Sequence, residues 1–390
     1  MATHSTSKAH FLLTHGGPVD RALEQIGFLP HLRIRIVIAI LASWLPLLIL
    51  SACQGVAISP AIKVSFLGDI AEQTRLLLVI PLLLIAEPII GASVKEAVEQ
   101  FLHEGLLLEA ELPTYKLAVD RAIRWRESAW AEVILLGIII ASTIIQLDAV
   151  KLTYLSTWIF IPTSTGTVRS LAGWWFTLVS MSLYRFLLYR WFWRFIIWFR
   201  FLWHMSKLQL QLMPSHPDRA GGLAFLGDTQ IRFAILLFAM SAVIAGATAN
   251  LIVYDGKSLL EYKFTVISFI TLAILVVLLP LFTYANKLIQ VKEKGQLEYS
   301  ILGMDYTQSF HQKWIQTDRS DRASLLGDQD VRSLADMATS FDVIRSMNIV
   351  PFDFDAVKIL ILATIIPFVP LILTVIPLKE VLEKMREFLF

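Results

Sequence analysis

Of the 390 residues, 56% are hydrophobic and only 17% charged, against about a quarter charged in an ordinary soluble chain, so the composition is that of an integral membrane protein. A net charge of +2 offers no basic surface for a nucleic acid. The single cysteine, Cys53, excludes an intrachain disulfide and any cysteine-cluster metal site.

Residues 1–33 lack the apolar core and small-residue cleavage site of a signal peptide, so this segment is expected to be retained and cytosolic. Seven apolar runs then follow: Ile34 to Ala52, Leu76 to Val94, Val133 to Leu147, Leu171 to Leu188, Ile231 to Tyr254, Phe264 to Ala285 and Ala356 to Leu378. Each is long enough, or nearly so, to cross a hydrocarbon core that needs about 20 helical residues. The fold class is therefore all-α, a polytopic transmembrane bundle of about seven spans with a cytosolic helical layer. With the N-terminus inside, the inner segments hold 25 Lys and Arg and the outer ones 9, which supports this orientation in an inner (plasma) membrane.

The organisation predicted in order is residues 34–94 as spans one and two, and 95–130 as a cytosolic helical hairpin broken at Pro113, its first helix acidic through Glu96, Glu99, Glu104, Glu109 and Glu111. Spans three to six occupy 131–285, and within them lie the long helix 171–203 and the loop 204–230. A cytosolic helical segment covers 286–355, span seven 356–378 and a tail 379–390. The acidic and basic run Asp318-Arg319-Ser320-Asp321-Arg322 reads as solvated surface. Thr163 to Thr167 gives the longest outer loop a polar turn.

Glu87 is the sharpest signal inside a span. A charge at mid-span costs on the order of 2.5 to 3.5 kcal/mol, so it must face protein or water. Two readings stand: an ion pair with Arg185, judged to lie at the same depth, or a protonatable, ion-lining acid beside the kink of Pro88. The helix 171–203 carries Arg185, Arg190, Arg194 and Arg200 among tryptophans. Long arginines snorkel, which puts Arg190 and Arg194 at the inner headgroup boundary, with Arg200 beyond it, near acidic lipid or the acidic helix. Prolines 46, 81, 88, 280, 367 and 370 fall inside spans, and with Pro377 they mark the last span as the best candidate for a broken helix.

The tripeptide Leu-Gly-Asp occurs at Leu67 to Asp69, Leu226 to Asp228 and Leu326 to Asp328, each time before a predicted helix, which predicts Asp as N-cap. Between spans four and five lies Ser215-His216-Pro217-Asp218-Arg219-Ala220-Gly221-Gly222. Its residues admit a tight structural turn, or a ligand or gating loop in which Gly221 and Gly222 aim backbone N–H groups at an anion and Arg219 assists. His216, Asp218 and Asp228 form an alternative divalent-cation set. In the gating reading the loop closes over the cytosolic mouth of a cavity faced by Glu87, with Asp336 or Asp342 as the counter-charge of Arg219.

His216 to Phe225, with Ser333-Leu334-Ala335-Asp336 and Val350-Pro351-Phe352, resembles short segments of uncharacterised bacterial multipass inner-membrane proteins that share an HPDxAGG-type loop; the resemblance implies no function. Nucleotide-loop, zinc-helix and nucleophile-elbow patterns do not occur, so no catalytic residue and no cofactor is named and an enzyme is not the favoured class. The expected function is a channel or transporter for a small ion or solute, with Glu87, Arg185 and Arg190 on its path. The alternatives are a membrane scaffold or signalling protein acting through its cytosolic helices, then a lipid-directed enzyme. The expected partners are the lipid bilayer, a further copy of the chain, and a protein at the cytosolic helices.

Overall fold

In the computed structural model, residues 13–14, 16, 21, 31–149, 157–163, 166–316 and 329–372 are described. Among them are seven helices long and apolar enough to cross a membrane: α1 (Leu32–Cys53), α2 (Ile70–His103), α4 (Ala129–Leu147), α5 (Leu171–Met205), α6 (Phe225–Asp255), α7 (Leu259–Gln316) and α9 (Phe354–Ile372). Between them lie α3 (Leu112–Arg126) and α8 (Gln329–Arg345). The chain is an all-α, polytopic membrane bundle. The third Leu-Gly-Asp copy, the 318–322 charge run, Ser164, Thr165 and Pro377 lie outside the described residues.

The spans overshoot their apolar runs because several helices continue into the layers on either side. At about 1.5 Å per residue, the 34 residues of α2 extend roughly 50 Å, well beyond a hydrocarbon core of about 30 Å. The second span therefore begins at Ile70, six residues before the apolar run. Several of the prolines sit where the helical pitch changes. Pro280 opens a tight 3₁₀ stretch (Leu279–Tyr284), and Pro367 lies in another (Ile366–Phe368). Wider π-helical turns occur at Thr74–Val79 in α2 and Phe176–Ser180 in α5.

The chain leaves and re-enters the bundle through two polar layers. One is closed by a short hairpin, β1 (Phe160–Thr163) against β2 (Gly166–Arg169), which replaces the simple turn expected there. Val64 pairs with Thr157 beside it, and Lys63 bonds Asp255 at 2.5 Å, tying this layer together. The opposite layer contains α3, the 206–224 connection, the distal half of α7, and α8. Its first segment departs from the expected hairpin. Glu96 and Glu99 lie in α2, which ends at His103, Glu104 follows as its cap and Glu109 and Glu111 fall in a 3₁₀ turn, while Pro113 stands in the first turn of α3 rather than breaking a helix, since a first-turn proline costs no backbone hydrogen bond.

The buried core runs through both layers and the span interior, with Trp158, Trp198, Phe101, Phe176 and Phe233 among its largest fully enclosed side chains. α6 approaches α2 closely because Gly246 lies against Ala71 and Thr74. Small residues at a crossing let helix backbones meet, which in a bilayer supplies packing that no hydrophobic effect provides.

Candidate functional site

Glu87 is where three spans meet. Its residue is 3% exposed, and its two carboxylate oxygens take guanidinium N–H groups from two other helices. Arg194 of α5 donates through Nη1 to Oε1 at 2.8 Å, and Arg35 of α1 through Nη2 to Oε2 at 2.6 Å. Arg194 turns its other nitrogen, Nη2, to the carbonyl of Thr14 at 2.6 Å. Arg190 is also buried and adds to the positive field at Glu87. Beside the cluster, Trp191 donates through its indole N–H to the carbonyl of Leu83 at 2.9 Å, one residue before the carbonyl that Pro88 leaves without its helical partner.

The pairing with Arg185 is overturned. Arg185 instead donates to Thr143 Oγ1 at 3.2 Å and Gln146 Oε1 at 2.6 Å, both on α4. Helical phase explains the exchange: nine residues at about 100° each put Arg194 half a turn from Arg185, whereas Arg190 lies only about 40° from Arg194. The snorkelling expected of Arg190 and Arg194 is corrected too. Both point into the bundle, where Glu87 compensates the charge, and it is Arg200 that reaches the surface.

The cover over Glu87 is also not the one expected. Leu13 and Thr14, both buried, lie there, and a side chain at Gly91 would collide with Thr14. The Ser215–Gly222 loop packs elsewhere, against α7 and the segment after α8: Tyr299 donates to Ser215 Oγ at 3.1 Å, and the Asn348 N–H to the Arg219 carbonyl at 2.7 Å.

Within that loop the anion-holding nest exists, and the chain fills it. The carboxylate of Asp218 accepts the backbone N–H groups of Ala220 (2.8 Å), Gly222 (3.0 Å) and Ala224 (3.1 Å) and sits 2.7 Å from His216 Nδ1. Burial disfavours its ionised form, yet the N–H groups of Ala220, Ala224 and Gly222, with His216, outweigh that and hold its carboxyl below the usual range. Positive φ at Arg219 (55°), Gly221 (67°) and Gly222 (96°) bends the backbone into this cup. Arg219 is exposed and makes no ion pair with Asp336, Asp342 or any other described residue. Asp228 does not cap a helix: α6 begins at Phe225 behind Ala224, which places Asp228 in the first turn. No group of three or more metal-ligating side chains, His216, Asp218 and Asp228 included, is arranged to hold an ion among the described residues.

A second buried polar group lies at the other end of α2, where the sequence suggested only a cap. Asp69 does cap the helix, accepting the Glu72 N–H at 3.2 Å, but its carboxylate also takes the Trp158 indole N–H (2.8 Å) and the Asn250 amide (2.8 Å). Glu72 pairs with Arg75 rather than reaching back to complete a capping box, and Arg75 lies 5.4 Å from the Tyr184 ring centroid. Glu72 Oε2 and Arg75 Nε are buried without a hydrogen-bond partner. The legible signal was the i, i+3, i+6 spacing of Asp69, Glu72 and Arg75 just before an apolar run.

No protein-family model matches the sequence, and neither a curated protein nor a solved structure matches it significantly. Functional inference therefore rests on the geometry above.

Proposed function

We propose that this membrane protein passes a small ion between α1, α2 and α5, with Glu87 as the charge that the passing ion or proton exchanges against Arg194 and Arg35. The observation carrying this is the buried bridge itself: a span carboxylate held by arginines from two other spans. Charges inside a bilayer are costly, and where they occur they pair with one another and mark ion or proton pathways. Two further features support it. The Asp69, Glu72 and Arg75 group stands on the same helix, Glu72 some 15 residues from Glu87 and about 22 Å along the axis, and the π-helical turn of α2 starts within that group at Thr74 and runs to Val79 on the way to Glu87. Such turns are common at functional sites.

The reading assigns the chain to a bacterial inner membrane, with the α3–α8 layer in the cytosol, in keeping with the charge split and the resemblance around His216 to Phe225. A reporter active only in the cytosol should be on after Gln316 and off after Lys257; the reverse would invert the orientation. Proteoliposomes loaded with a pH dye or a halide or alkali-ion indicator test the function. Flux above that of empty vesicles for one of these ions supports it, and inert vesicles across the panel reject it.

One observation favours a scaffold. Beyond the membrane α7 exposes Leu297 (64%), Ile301 (57%) and Met304 (60%) at i, i+4, i+7 spacing, an apolar stripe suited to a partner helix. Inert vesicles together with cysteine crosslinks formed through position 301 would favour this reading over ion passage.

A further inference from the structure

The conspicuous basic and aromatic groove of the molecule lies away from Glu87, between α3 and α5. It is lined by Ala118, Arg121, Ala122, Trp125, Arg200 and His204. Arg200 sits over Trp125, its guanidinium carbon 3.9 Å from the ring centroid. Trp125 in turn stacks on Trp193 with centroids 5.5 Å apart and planes within 3°. This contact holds the guanidinium at the groove while Arg200 stays exposed, and a guanidinium stacked on an aromatic ring can still grip a phosphate with two bonds. The Arg200 carbonyl takes the Nδ1–H of His204 at 2.7 Å, so Nε2 is left for the groove. Neither Arg121 nor Arg200 makes an ion pair among the described residues. Of the acids on α3 and just after it, Asp120 is exposed and Glu127 is engaged by Arg21 and Arg126.

The depth of this groove follows from the contacts of Arg185 with Thr143 and Gln146 on the antiparallel α4. Fifteen residues further along α5 is Arg200, and about fifteen back along α4 is its first turn, so the groove lies level with the point where α4 enters the membrane. Around it the surface is that of a headgroup boundary. Trp130 is 77% exposed and Leu117 50%, and Lys207 covers the half-exposed Trp203 at 3.6 Å from the ring centroid.

We propose that the α3–α5 groove is a headgroup site for an anionic phospholipid, whose phosphate is held by Arg121 and Arg200 while its glycerol and acyl chains lie against Trp130 and Leu117. A lipid rather than a free phosphate is indicated because the groove opens at the bilayer boundary beside apolar side chains, where a small anion would find no use for the flanking surface. Each arginine near such a surface contributes about a fivefold preference for an anionic over a zwitterionic lipid. The proposal is independent of ion passage at Glu87.

The test uses the full chain in detergent, titrated with phosphatidylglycerol and with phosphatidylcholine, binding being followed by native mass spectrometry. Preference for phosphatidylglycerol should fall roughly 25-fold in Arg121→Gln/Arg200→Gln and be largely kept in Arg200→Lys, while Arg332→Gln, on exposed α8, leaves it unchanged. If the double variant fails to fold, Arg200→Gln alone should still lose about fivefold. Equal binding of the two lipids by the wild type, an undiminished preference in the folded glutamine variants, or displacement of phosphatidylglycerol by equimolar inorganic phosphate would overturn the assignment.

Discussion

Glu87 and Asp218 are both partly or wholly buried carboxylates that accept several hydrogen bonds, yet they are held in opposite ways. Asp218 is satisfied by its own loop: all its backbone donors lie within six residues, and its removal disturbs one turn. Glu87 is satisfied only by the tertiary fold, from residues 52 and 107 positions away in sequence. A locally satisfied charge shapes a connection, whereas a charge satisfied across three spans ties those spans to one another. That is why the ion path is proposed at Glu87 and not at the more conspicuous His216–Gly222 motif.

The largest effect is expected at Arg194. Replacing Arg194 by Leu leaves Glu87 buried with one partner fewer, and stability should fall by about 3 kcal/mol or more, read as unfolding in SDS titration. Arg185→Leu removes hydrogen bonds to neutral groups on α4 and should cost clearly less. Equal losses for the two would mean that the Glu87 bridge adds nothing beyond ordinary packing.

A smaller effect is expected at Asp218, where Asn keeps the shape but weakens the acceptor for three N–H groups, at a cost of about 1–3 kcal/mol. The pH dependence has a definite sign. Because the folded loop holds this carboxyl below its ordinary range, its contribution is complete above about pH 4 and is lost as the pH falls through the lowered folded value. Asp218→Asn should therefore lose part of the acid sensitivity of the amide exchange of Ala220, Gly222 and Ala224. Exchange with an unchanged acid slope would show that Asp218 is not what holds the cup.

The smallest effect belongs to Arg219. Its side chain is exposed and unpaired, so Arg219→Ala should shift stability by less than about 0.5 kcal/mol and leave any flux unaltered. A large loss of flux would return the loop to the mechanism.

The spans were legible because hydropathy is written in consecutive residues. Glu87 was legible for the same reason, a lone acid in an apolar run. Its partners were not. Depth along a helix can be counted from sequence, but azimuth against another helix depends on how both rotate in the bundle, and the half turn between Arg185 and Arg194 decided which one Glu87 meets. The nest at Gly221 and Gly222 was readable as backbone geometry, while its occupant was not, since Asp218 reaches it only through the bend at Arg219. Asp69, Glu72 and Arg75 stood just outside the apolar run and read as a helix start. Their burial arises from Trp158 and Asn250, which arrive from distant segments. The β1–β2 hairpin escaped notice because two strands of four residues leave too short an alternation to separate from a turn.

Whether Glu87 is an exchanging charge or a fixed brace is separated by Glu87→Gln. Glutamine keeps the volume, and its one carbonyl oxygen can still accept from Arg194 or Arg35 although its NH2 group cannot, so the variant is compared with wild type per folded molecule after reconstitution. The expected result is an ion flux reduced at least tenfold in vesicles where the wild-type protein conducts. Flux equal to wild type in a folded Glu87→Gln protein would contradict the account and leave the bridge as structure alone.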